Sequence, residues 1–295
     1  MLRLPCVPLR FPPGQMNYRH AFHAGNFADL IKHAVLTELL AILTRAPAPL
    51  TVIDTHAGAG LYDLAGEAAR RTGESAALST LIEASDRPAV FARLLAAVER
   101  VNRSGERRYY PGSPILIGGA LRTGDHYIAC EIRPDDHAAL KGVLKRQLGA
   151  EVLNADGWRV AAARVPAAPA RLMVLIDPPF ERGDDDEQAI QTAARILERN
   201  PGAVIAIWLP IKDLASFDAF GSRLEDAAAR TPMLTVEVRL RPLADPMRLN
   251  GCAVAVINPP PDLAAPAAAA AQWIAGALGE AGAIGRATMY SPRPA

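Results

Sequence analysis

The chain has 295 residues, 50% of them apolar and 21% charged, which suits one buried core with room for an insertion and excludes a disordered or fibrous protein. Its 32 basic and 31 acidic residues leave a formal charge of +1, so bulk charge cannot coat a nucleic acid and any such partner has to be held by a local patch. Cys6, Cys130 and Cys252 are odd in number and far apart, which argues against a disulfide framework or a structural zinc site and for a reducing, cytoplasmic setting.

Residues 1–15 carry Pro5, Pro8, Pro12 and Pro13, which interrupt any continuous apolar signal segment. They read as a disordered extension, with Met16 as an alternative start. Tyr18 to Asn26 (Tyr-Arg-His-Ala-Phe-His-Ala-Gly-Asn) then gathers aromatics, an arginine and two histidines. From Asn26, placed as an N-cap, to about Arg45, the residues Phe27, Leu30, Ile31, Ala34, Val35, Leu39 and Ile42 recur at helical spacing. This helix carries Lys32 and His33. By spacing alone His33 pairs with Asp29 on the surface, or else it joins His56 in facing a ligand crevice.

Thr51–Asp54 is a short β-branched run leading into His56-Ala57-Gly58-Ala59-Gly60, a strand entering a glycine turn. A dinucleotide fingerprint needs a third glycine where Asp63 stands, which favours a cofactor without a pyrophosphate. Gly60 and His126 are 66 residues apart, about twice what one crossover helix needs. Residues 66–110 therefore read as a small inserted helical subdomain, with helices over Ala76–Ile82 and Val90–Val101, and the main domain takes 16–65 and 111–295. The insertion turns basic at Arg103, Arg107 and Arg108 before Tyr109-Tyr110-Pro111-Gly112-Ser113.

Further apolar runs at His126–Cys130, Glu151–Leu153, Leu172–Ile176 and Val204–Trp208 alternate with helical pattern, predicting an α/β fold with a mostly parallel sheet covered by helices on both faces. Leu234–Leu240 and Ala253–Ile257, joined through a turn ending in Asn250-Gly251, read as an antiparallel hairpin at the sheet edge. The Ala/Pro tracts at 161–170 and 259–270 read as connectors or a weak helix start. Leu263 to Gly279 is too short and too weakly apolar to cross a bilayer.

The most specific chemistry lies at Leu175-Ile176-Asp177-Pro178-Pro179-Phe180, an acid at the end of an apolar strand followed by two stiff prolines and an aromatic. An Asp177 carboxylate oxygen and the Pro178 carbonyl can accept hydrogen bonds from one exocyclic amine, while Phe180 offers a face to a base. Such a clamp needs no metal when the methyl donor is a sulfonium, because the enzyme then mainly supplies alignment. Ile257-Asn258-Pro259-Pro260 copies the pattern without the aromatic and reads as a turn. Glu131 and Asp156 also end strands; each alone reads as a turn or cap acid, but their recurrence after successive strands suits the first to ribose hydroxyls and the second to an adenine amine, with Gly157 leaving room for the ring.

These segments, together with Lys32-His33, Asp-Thr-His-Ala-Gly-Ala-Gly (54–60), Tyr-Tyr-Pro-Gly-Ser-Pro (109–114) and Ala-Asp-Gly (155–157), resemble the RlmJ-type 23S ribosomal RNA adenine-N6 methyltransferases, in the family's order and from Met16 onward. The resemblance implies a Rossmann-like class I methyltransferase that uses S-adenosyl-L-methionine and methylates the N6 amine of one adenine, position 2030 in the family's usual numbering of the RNA. It implies Asp177 as the catalytic amine acceptor and His33, His56, Ser113, Glu131, Asp156, Gly157 and Asp177 around the cofactor. Tyr18, Pro178 and Phe180 would meet the substrate. Phe180 departs from the tyrosine common in such motifs, which affects only a hydroxyl contact. The partner implied is 23S ribosomal RNA, gripped by local arginines such as Arg19, Arg103, Arg107 and Arg108; a metal, a membrane and a stable oligomer are not expected. The same clamp also serves DNA or protein amino-methyltransferases, and an inactive RNA-binding relative or a nicotinamide oxidoreductase are further alternatives.

Overall fold

A computed structural model describes residues 24–66, 76–103, 105–147, 149–228, 231–243 and 249–291. The first long element is α1 (Phe27–Leu43), whose start is fixed by Asn26: its side-chain oxygen accepts the Asp29 N–H at 3.0 Å. Leu30, Ile31, Leu36, Leu39 and Leu40 are buried on nearly every side of this helix, each contributing about 1.5–3 kcal/mol of apolar transfer. The helix runs through the middle of a layer, not along its surface.

Strand β1 (Leu50–Asp54) pairs in parallel with β4 (His126–Cys130) on one side and β6 (Arg171–Ile176) on the other. Outside β4 lies β5 (Ala150–Leu153), and outside β6 lie β7 (Val204–Ile211), β9 (Gly251–Ile257), β8 (Met233–Arg239) and β10 (Ile284–Tyr290). Among the described residues this is an eight-stranded sheet with β8, β9 and β10 running antiparallel to their neighbours. The entrance to β1 is pinned by Asp125, which accepts the Leu50 N–H at 2.8 Å and is held in turn by the Arg122 guanidinium.

Two expectations about the last third are corrected. The β8–β9 hairpin does not form the edge, because β10 pairs along all seven residues of β8. Its segment Ile284–Tyr290 alternates too weakly in polarity to be read as a strand, and its outer face is partly open. The alanine tract read as a connector or a weak helix start does begin a helix, α9 (Ala264–Leu278), but it is no surface connector, since Ala267, Ala270 and Ala271 are fully buried against α1 and the sheet. Small side chains there allow close helix packing, so low hydropathy contrast hid a core element.

The inserted segment forms α2 (Ala76–Glu83) and α3 (Ala92–Val101), the latter entered through a short 3₁₀ turn at Ala89–Phe91. Leu78, Leu81, Phe91, Leu94 and Val98 share one core with α1 and α9 instead of packing a core of their own. The segment returns through β3 (Tyr109–Pro111), paired antiparallel with β2 (Leu61–Asp63), a short ribbon that no run of residues announced. The remaining helices are α4 (Ser113–Ala120), α5 (Pro134–Leu144), α6 (Gly157–Arg164), α7 (Asp185–Arg199) and α8 (Leu214–Ala227). Among the described residues no helix is long and apolar enough to cross a membrane.

Candidate active site

Parallel strands β1, β4, β5 and β6 end on one edge of the sheet, and the strand order reverses at β1. Sheets of this kind take ligands in the crevice at that point. Here the crevice is a cleft of about 320 Å³ into which His33, His56, Ser113, Glu131, Asp156, Gly157, Asp177, Pro178 and Phe180 all open. Tyr18 and Arg19 lie outside the described residues.

The backbone ladder continues past the strand ends and aims the loops: Thr55 N–H donates to Leu175 O, Ala57 N–H to Cys130 O and Glu131 N–H to Leu153 O. Gly58 and Gly60 adopt φ of 64° and 81°, the left-handed region that favours glycine, and so turn the chain sharply under the cleft. Gly157 is required for another reason. A Cβ there would stand 1.8 Å from the Thr55 carbonyl oxygen, so the start of α6 packs directly on the loop after β1. Its lack of a side chain serves backbone packing beside the cleft, where the sequence reading assigned it to an incoming ring.

Asp177 follows β6 with a side chain 14% exposed, and its Oδ2 accepts from the Lys32 ammonium at 2.6 Å. Lys32, 5% exposed, also meets Asp29 at 3.0 Å. Among the described residues Asp177 Oδ1 makes no hydrogen bond to protein, which leaves it available to the cleft. Sequence reasoning noted Lys32 only as a neighbour of His33; its three-residue offset from Asp29 was the available signal, and its link to Asp177 had none.

His33 is 1% exposed, with Nδ1 2.8 Å from the Tyr110 hydroxyl and its ring stacked on that tyrosine. The surface pair with Asp29 is therefore overturned, since both residues are buried. The His56 Nδ1 sits 2.8 Å from the Thr55 hydroxyl, its ring lies edge-on to Trp158, and burial lowers its pKa to about 3, keeping the imidazole neutral. Glu131 accepts the Gly58 N–H on Oε2 and the Arg133 N–H on Oε1, and burial shifts its carboxyl upward. Each carboxylate oxygen retains capacity for a second donor. Asp156 caps α6 through the Trp158 N–H at 3.0 Å, leaving Oδ2 near the exposed Arg159.

Beneath the cleft lies a residue that sequence reasoning did not single out. Asp54 is fully buried, its Oδ2 accepting from the Ser113 hydroxyl at 2.7 Å and the Tyr127 hydroxyl at 3.2 Å. Burial pushes its carboxyl up to about 7, reinforced by the nearby Asp177 charge and opposed by the Ser113 hydrogen bond. Asp54 thereby orients Ser113 at the first turn of α4.

Phe180 takes φ of 50° and is only 7% exposed, its ring tilted against Trp208 at 5.9 Å between centres. Asn258 in the second Pro-Pro motif has a similar φ of 53°, but it follows β9, which runs against β7, and so lies at the opposite edge of the sheet. Its amide donates to the carbonyls of Pro201 and Ala203, as a turn residue does. Of the arginines considered for a polymer, Arg107 and Arg108 pair on the surface with Glu83 and Asp63, and Arg103 is exposed.

Comparison with known proteins adds to this geometry. The chain is 34% identical over 246 residues to Ribosomal RNA large subunit methyltransferase J of Escherichia coli (strain K12), covering 83% of this chain and 88% of that protein. It is 32% identical over 247 residues to the protein of the same name from Haemophilus influenzae, with the same two coverages. A crystal structure of a Legionella pneumophila protein superposes with a TM-score of 0.83 at 26% identity, over 92% of this chain and 99% of that one. A family model described as Ribosomal RNA large subunit methyltransferase D, RlmJ, matches residues 47–289, and with these identities the chain belongs to that family.

Proposed function

We propose that the protein transfers the methyl group of S-adenosyl-L-methionine to the N6 amine of one adenine in 23S ribosomal RNA, with Asp177 as the amine acceptor. One observation carries this reading: Asp177 lines the cleft beside Pro178 with its Oδ2 anchored by Lys32, and its Oδ1 makes no hydrogen bond among the described residues. Family membership and the relatives' names support the choice of substrate.

The residues fit this cofactor. Glu131 offers carboxylate oxygens to ribose hydroxyls, Asp156 an acceptor at the rim for an adenine amine, and Ser113, at the start of α4, its backbone N–H to a carboxylate, since Pro114 has none and those of Ile115 and Leu116 donate to the Gly112 carbonyl. Neutral His56 adds a polar contact without a charge that would repel a sulfonium. When bound, the cofactor supplies an electrophilic methyl group that needs no further activation.

The chain's own work is then alignment and proton handling. Asp177 Oδ1 and the Pro178 carbonyl accept the two hydrogens of the amine, which keeps its lone pair directed at the methyl carbon. The amine nitrogen would gain the methyl group as the C–S bond breaks and its electron pair returns to sulfur, and the proton then shed by the cationic nitrogen would pass to the Asp177 carboxylate. Lys32 fixes the carboxylate throughout, so that only one oxygen is used. The protein acts in the cytoplasm as a monomer in this reading.

The test is transfer of labelled methyl to protein-free ribosomal RNA lacking the mark, with the product nucleoside identified by mass spectrometry. N6-methyladenosine formed by the wild type and lost in Asp177→Ala is expected. Unchanged turnover in Asp177→Ala would overturn the assignment.

A further inference from the structure

Tyr110 is fully buried behind the cleft, at the point where the inserted segment returns to the main domain. Its hydroxyl stands 2.8 Å from His33 Nδ1, and the two rings stack with centres 5.5 Å apart and planes 26° from parallel. The β2–β3 ribbon holds the phenol in place, with Tyr110 opposite Tyr62 in register. The chain then passes Gly112, whose N–H donates to the Gly60 carbonyl at 2.9 Å, and begins α4 at Ser113. His33 and Ser113 both open into the cleft, whereas Tyr110 reaches it only through His33.

A buried phenol needs an acceptor for its hydrogen, and the structure gives it His33 Nδ1. Burial, reinforced by the nearby Asp29 charge, pushes the Tyr110 hydroxyl well above its usual pKa, so the hydrogen stays on the oxygen. A neutral imidazole carries one N–H and one bare nitrogen, and a donor at Nδ1 therefore places the ring hydrogen on Nε2. With Nδ1 turned to Tyr110, any hydrogen bond from this ring to a cleft ligand comes from Nε2. An N–H there suits an acceptor, and at the amino-acid end of the cofactor the acceptor is the carboxylate, the group the Ser113 N–H also addresses.

We infer that Tyr110 is a positioning residue for the cofactor, donating to Nδ1 so that His33 is fixed in the Nε2–H tautomer and oriented toward the cofactor's carboxylate. The inference rests on the proposed place of His33 beside S-adenosyl-L-methionine and is independent of which polymer is methylated. It also gives the inserted segment a share in the cofactor site, because the residue that sets the tautomer stands on the segment's return strand.

Tyr110→Phe tests this by removing one oxygen and keeping the buried ring. Nuclear magnetic resonance of the full-length protein with isotopically labelled histidine nitrogens reads the tautomer directly: the wild type should show His33 as Nε2–H, and Tyr110→Phe should populate the Nδ1–H form. Calorimetric titration then compares S-adenosylhomocysteine with methylthioadenosine, which lacks the amino-acid end. Tyr110→Phe should lose about fivefold in affinity for the first and nothing for the second. In a His33→Ala background the same change should have no further effect on either ligand. An Nδ1–H tautomer in the wild type, an unchanged affinity for S-adenosylhomocysteine, or an equal loss for both ligands would overturn the inference, the last by showing a general disturbance of the fold. Absence of RNA methylation with these affinities as expected would instead overturn the proposed substrate and leave the role of Tyr110 standing.

Discussion

Lys32 and Asp177 meet at 2.6 Å across 145 residues of sequence, and this contact joins the first long helix to the loop that carries the Pro-Pro motif. Lys32 is nearly inaccessible and shared with Asp29, so the three charges form one arrangement and not a surface pair.

Removing the cation should therefore act on both stability and rate. Lys32→Met takes away the buried ammonium that Asp29 and Asp177 share, at a cost of about 3 kcal/mol, and frees Asp177 to rotate. Thermal unfolding should show a clear loss of Tm, while methyl transfer by the remaining folded protein falls at least tenfold with cofactor affinity little changed. A variant with wild-type turnover would show that the carboxylate needs no anchor.

Gly157→Ala should be destructive although the change is a single methyl group. The added carbon has to displace the Thr55 backbone, since no flexible side chain can yield there. About 2 kcal/mol of destabilisation is expected, together with weakened cofactor binding as the loop after β1 shifts. Normal affinity in a cofactor titration would mean that the loop can move without disturbing the site.

Asp54 and His56 should produce opposing pH dependences. Above 3.8 and up to about 7 the folded chain keeps a proton on Asp54 that the unfolded chain has released, so this group lowers stability as pH rises. Between about 3 and 6.5 the unfolded chain holds a proton on His56 that the folded chain lacks, so this group raises stability with pH. The two slopes oppose each other in the wild type. Relative to it, Asp54→Asn should gain stability as pH goes from 4.5 to 6, by about 1.4 kcal/mol per pH unit, and His56→Gln should lose it at a similar rate. Urea unfolding across that window measures both, and parallel curves for all three proteins would refute the pairing.

Acid should release the clasp at the start of the sheet. Burial alone would raise the Asp125 carboxyl, but the Arg122 guanidinium and the N–H groups of Arg122 and Leu50 outweigh it and hold it at about 2. The stability it gives is complete above pH 4 and disappears as pH falls toward 2. Asp125→Asn should cost about 2 kcal/mol at pH 7 and much less at pH 2, as read from denaturation midpoints at each pH. An equal cost at both would assign the effect to shape and not to charge.

Much of this architecture could be read from residues because the parallel strands announce themselves as short β-branched runs, each with an acid or a glycine turn at its end. Thr51–Asp54, His126–Cys130 and Leu172–Ile176 fall within a residue of the strands observed. The common edge of the sheet then collects Glu131, Asp156 and Asp177, which is why the candidate residues converge in one cleft. What escaped lacks such a signature. The α9 helix is buried through alanines, β10 is an edge strand with a half-open face, and the Lys32–Asp177 contact depends on tertiary packing that no spacing encodes. His33 shows the same limit, because helical periodicity cannot tell a buried polar side from an exposed one when neighbouring helices cover both.

The position of β1 between β4 and β6 bears on how the protein is made. As the chain is synthesised from its N-terminus, β1 gains its first neighbour only after residue 130 has emerged and its second only after residue 176. Until then Val52 and Ile53, which end fully buried, belong to an open strand flanked by incomplete layers. A nascent chain stalled between those points exposes a hydrophobic sheet margin, the kind of surface that holding chaperones bind and that drives aggregation when they are scarce.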